Sequence, residues 1–81
     1  MTAKEAPINT KLIVRSFHKD DVRELSDIES RLMHLGFMDG ESIRITRKAP
    51  LSQGPLLIEV RGRSVALTLD EASLISVEVS R

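Results

Sequence analysis

Two histidines, His18 and His34, are the imidazoles available for metal binding in an 81-residue chain that has no cysteine. A ferrous or similar ion is best held by imidazole and carboxylate together, and Asp20, Asp21 and Glu29 stand nearby in sequence. Their spacing does not assemble a site on one helix face. Glu29 and His34 are five residues apart, and the residue one turn before His34 is Ser30. A divalent transition metal, Fe2+ or a surrogate such as Zn2+, would then need a homodimer to complete its shell, with His18, His34, Asp20 and Asp21 as candidate ligands. The plainer reading is two solvated surface histidines.

Other chemistries fail on inventory. Without cysteine there is no disulfide, no thiolate metal site and no thiol redox step. No serine sits in a glycine elbow of the hydrolase kind, and no G-x-x-x-x-G-K loop could cradle a phosphate. The chain therefore reads as a non-enzyme with no required cofactor. Lys+Arg and Asp+Glu balance at 12 each, which argues against nucleic acid and against an anionic membrane surface. There is no Trp and no Tyr, and the two phenylalanines are Phe17 and Phe37. An aromatic groove for proline-rich peptides or stacked bases cannot be built from these. The longest apolar runs, Leu12-Ile13-Val14 and Leu56-Leu57-Ile58, are far too short for direct membrane insertion. The start, with Lys4, Glu5 and Pro7, lacks the apolar region of a signal peptide, so a cytoplasmic location is expected.

Positioning elements follow from periodicity. Residues 1–9 read as a flexible lead-in and 10–81 as one domain. Thr10 to Phe17 alternates enough for a first strand. Val22, Leu25, Ile28, Leu32 and Leu35 then recur at helical spacing. The helix starts either at Asp20 or Asp21, or at a Ser26–Glu29 capping box, with the shorter form preferred. Gly36 takes the position just past its end. Ser42 to Lys48 alternates, with Ile43 and Ile45 inward. Leu56 to Arg61 places Leu56, Ile58 and Val60 on one face. Gly62-Arg63 suits a type II′ hairpin, followed by a strand from Ser64 to Leu69. Asp70 caps a single helical turn, and Ile75, Val77 and Val79 form a last strand. Five short strands, a helix after the first and a helical turn before the last make a mainly β protein, a small SH3-like barrel.

Three features could serve recognition. Phe37 and Met38 are bulky apolar residues just beyond a helix: exposed, they form a contact knob; folded back, they form a lid on the barrel. The loop between Pro50 and Pro55 carries Leu51 at its tip with Gln53 beside it, and its prolines lower the entropic cost of docking. Arg44, Arg47, Lys48, Arg61 and Arg63 read as an outward basic stripe, either solvated or complementary to an acidic partner. The candidate partner-binding residues are Phe37, Met38, Leu51, Gln53 and Arg47.

Three stretches in order carry a family resemblance: L-x-x-L-G-x-x-x-G at Leu32 to Gly40, A-P-L-x-x-G-P-L at Ala49 to Leu56, and V-R-G-R-S-V-A-L-T-L-D-E-A at Val60 to Ala72. Together they resemble the FeoA family, small cytoplasmic SH3-like proteins of bacterial ferrous iron uptake, over roughly residues 10 to 80. The resemblance implies an accessory or regulatory protein for FeoB, the membrane ferrous iron transporter with a cytoplasmic GTP-binding domain. It implies no enzymatic activity. The fold also resembles the C-terminal domain of iron-dependent repressors of the DtxR type, but no helix-turn-helix precedes it here. A metal-responsive binder or carrier of a divalent transition metal is the alternative function.

Overall fold

A computed structural model describes residues 1–17, 27–48 and 54–80. The elements are β1 (Lys11–Phe17), α1 (Asp27–Leu35), β2 (Ser42–Lys48), β3 (Leu56–Val60), β4 (Arg63–Leu67), α2 (Leu69–Ala72) and β5 (Ile75–Val79). The five strands form one antiparallel sheet in the order β4-β3-β2-β1-β5. This is the mainly β architecture expected. Alternation sets its interior: Leu12 and Val14, Ile43 and Ile45, Leu56, Ile58 and Val60, Leu67, and Ile75 and Val77 are all buried. Ten strand side chains on one face, joined by Leu32 and Phe37, make a continuous core without any covalent staple.

The lead-in differs from expectation. Residues 1–9 are not frayed but packed: Ala3 and Ala6 are fully buried. The Ala3 N–H donates to the Ile75 carbonyl at 2.9 Å and Val77 N–H donates to the Met1 carbonyl at 2.8 Å. The segment thus occupies the outer edge of β5, whose other edge pairs with β1. An uncovered strand edge invites wrong pairing, and two alanines are small enough to let backbone approach backbone here. Sequence polarity concealed this because the attraction is through main-chain groups.

Two turns also differ in detail. The β3–β4 hairpin loop is Arg61-Gly62, not Gly62-Arg63, and closes on the Val60–Arg63 pair. Both loop residues have positive φ, 52° and 77°, as a type I′ turn requires. Moving the loop by one residue would have slipped the β3–β4 register by two, setting Leu67 opposite Ile58 instead of Leu56. Helix α2 is capped by Thr68 rather than Asp70. Glu71 N–H donates to Thr68 Oγ1 at 3.1 Å while Thr68 N–H donates to Glu71 Oε1 at 2.9 Å. That reciprocal box outranks a lone aspartate because it satisfies two orphan donors at once.

On α1 the buried line runs through Glu29 and Leu32, with Leu35 half-buried, and Ile28 stays 47% exposed. The expected stripe is therefore rotated by about one residue. Val22, Leu25 and both competing helix starts, at Asp20 or Asp21 and at Ser26, lie outside the described residues. An Arg31–Glu71 ion pair ties α1 to α2.

A candidate partner-binding surface

The end of α1 determines what its neighbouring residues can do. Gly36 N–H donates to the Met33 carbonyl at 3.0 Å and Phe37 N–H donates to the Leu32 carbonyl at 3.1 Å. These two bonds form a Schellman motif, with Gly36 in the left-handed region at φ 112°. The motif brings the residue after the glycine back onto the last turn of the helix. Phe37 accordingly joins Leu32 in the core and is fully buried. It cannot be a contact residue, which corrects its place among the candidates. The physical reason is the motif itself, since the backbone that stops the helix also turns this side chain inward.

Met38 is set the other way. Its N–H donates to the Gly36 carbonyl at 2.9 Å, and its side chain is 39% exposed. With Met33, His34 and Ser30 it borders a shallow, mostly apolar depression of about 230 Å3. His34 Nδ1 lies 2.8 Å from the Ser30 carbonyl oxygen. A carbonyl oxygen only accepts, so Nδ1 carries the proton and Nε2 keeps its lone pair in the neutral ring. Met33 was not singled out by sequence reasoning. Its position one turn after Ser30 and next to His34 was the available signal.

The other candidates are scattered. Arg47 is exposed on β2, just past a bulge where pairing steps from Ile45–Ile58 to Arg47–Leu57. Leu51 and Gln53 lie outside the described residues, as do His18, Asp20 and Asp21. Gly54 and Pro55, at the end of the proline loop, border a second shallow depression with Thr68, Leu69 and Asp70 of α2. Among the described residues no group of three or more His, Asp or Glu side chains is placed to hold a metal ion.

The basic stripe divides by its partners. Arg61 Nε donates to Glu41 Oε1 at 2.6 Å, Arg63 donates to the Leu35 carbonyl at 3.4 Å, and Lys48 Nζ donates to the Lys4 carbonyl at 3.4 Å. These three hold the molecule's own segments together. No such bond involves Arg44 or Arg47 among the described residues.

The model of the FeoA domain matches residues 1–79. The chain belongs to the FeoA family. It is thus a ferrous iron transport accessory protein with an SH3-like fold. FeoA from Stenotrophomonas maltophilia, solved in complex with zinc, is 36% identical, with a TM-score of 0.80 over 96% of this chain and 89% of that one. A FeoA-like protein from Clostridium acetobutylicum is 33% identical, with a TM-score of 0.79 over 98% of this chain and 85% of that one. ScaR, solved with bound Cd2+, is 26% identical with a TM-score of 0.77, and the match covers 96% of this FeoA chain but 35% of ScaR. No curated protein matches the chain. Among the described residues no helix is long and apolar enough to cross a membrane.

Proposed function

We propose that this FeoA-family chain acts in the cytoplasm by direct contact with a FeoB-type ferrous iron transporter, through that transporter's GTP-binding region. The observation that carries the reading is Met38. The Schellman turn and the buried Phe37 that immediately precede it hold a flexible thioether at the surface, beside Met33 and His34. Exposed apolar side chains gathered round a depression mark contacts more often than a solitary one does, and methionine adapts to a partner's surface. Arg47, Leu51 and Gln53 are proposed as the polar and loop contribution to the same interface. Binding would regulate the transporter by favouring one of its conformations over another, and only to the extent of its differential affinity for them. Calorimetry with the soluble cytoplasmic part of the cognate transporter tests this, with GDP, with a GTP analogue and without nucleotide. Nucleotide-dependent binding is expected; absence of binding in every state contradicts the reading.

The second reading, a metal-responsive binder bridged across a homodimer, is favoured by one feature. The Ser30 carbonyl fixes the His34 tautomer so that Nε2 is available as a ligand, and one FeoA relative was solved with zinc. His18, Asp20 and Asp21 would complete the set. A His18→Ala, His34→Ala double variant separates the two readings. Loss of metal binding together with transport supports the metal role, and unchanged transport removes it.

A further inference from the structure

Lys11 on β1 and Arg44 on β2 stand directly opposite each other in the antiparallel ladder, and both are exposed. The two-residue Arg61-Gly62 loop makes Val60–Arg63 a hydrogen-bonded pair, and strict alternation from there turns the Arg44 backbone groups towards β3. Lys11 and Arg44 are therefore a non-hydrogen-bonded pair, the kind in which side chains come closest. Like charges so placed oppose folding. Glu59 on β3 faces Arg44 from the far side, leaving the row Lys11–Arg44–Glu59 with one cation in excess. Three other arginines of the described surface have a carboxylate partner: Arg61 with Glu41, Arg15 with Glu78 and Arg31 with Glu71. Lys11 and Arg44 form no ion pair among the described residues. They border an open groove of about 390 Å3 with Ser42, Ile43, Arg61 and Gly62.

We propose that this groove receives an acidic segment of a protein partner, one of whose carboxylates lies between Lys11 and Arg44. The carboxylate oxygens would accept from the ammonium and the guanidinium at once, removing the repulsion that the free protein carries. Arg61 neutralises Glu41, so that end of the groove does not repel the segment. Glu59, on the β3 side of the groove, confines the favourable position for a carboxylate to the Lys11–Arg44 side. The inference rests on the accessory-protein reading only in taking the partner to be a protein.

Hexaglutamate is a sufficient probe. Titrated into the intact chain and followed by amide NMR, it should shift Lys11, Ser42, Ile43 and Arg44 saturably, with the effect fading as salt is added. Lys11→Glu should weaken that binding by about tenfold or more. The same change should raise Tm by about 2–5 °C, because it converts a repulsive row into an alternating one. Met38→Asp should leave hexaglutamate binding unchanged. Shifts spread over all exposed cations, no saturable shift, or a Tm lowered by Lys11→Glu would each overturn the proposal. Binding of hexaglutamate without binding of the transporter's cytoplasmic part would retain the groove and reject the transporter contact proposed above.

Discussion

The corner after α1 sends one of two adjacent bulky side chains into the core and the other into water, whereas the outer face of β1–β3 keeps its charged side chains in water and sorts them by pairing. At the corner the sorting is done by backbone hydrogen bonds. Gly36 and Phe37 donate to the Met33 and Leu32 carbonyls, and the direction of Phe37 follows from that geometry. On the sheet face, cross-strand register places Lys11 against Arg44 and Arg44 against Glu59. The two regions therefore respond to substitution differently. A change at the corner acts on folding or on recognition depending on which of two neighbours is altered. On the sheet face one change acts on both.

The largest effect is expected at Phe37. Phe37→Ala should cost about 3–5 kcal/mol, the range for emptying a buried aromatic site, read as a lowered urea midpoint. A loss within the range of a surface change would mean that Phe37 is not part of the core. Gly36→Ala comes next. A Cβ there would lie 3.1 Å from Val60 Cγ2 and 3.3 Å from Arg61 Cδ at a φ of 112°. The strained backbone should cost about 1–3 kcal/mol, with the same denaturation series as the readout. Met38→Asp should change stability by less than about 0.5 kcal/mol, as surface substitutions do.

Much of this is legible in the chain itself. The strand faces are, since Ile43 and Ile45 or Leu56, Ile58 and Val60 alternate without interruption and only one register buries them. The glycine stop is too. Phe37 is readable as well, because an apolar residue following a helix-ending glycine commonly packs on the residue five before it, here Leu32. Thr68-x-x-Glu71 also has the spacing of a capping box, which the reading from Asp70 above passed over. The docked lead-in is not legible, because main-chain bonds to Ile75 and Val77 leave no side-chain pattern. Nor is the Lys11–Arg44 contact. It depends on the register between strands separated by a helix, and periodicity within each strand does not specify that.

Neighbouring residues at one corner thus divide between fold and recognition. The affinity of Met38→Asp for the soluble cytoplasmic part of the cognate ferrous iron transporter tests this division most directly, measured by calorimetry on protein whose Tm matches the parent. Binding should weaken by about tenfold or more, the loss expected when an apolar contact buried in an interface is replaced by an unpaired charge. Unchanged affinity at unchanged Tm would contradict it, and would place the contact elsewhere on the molecule.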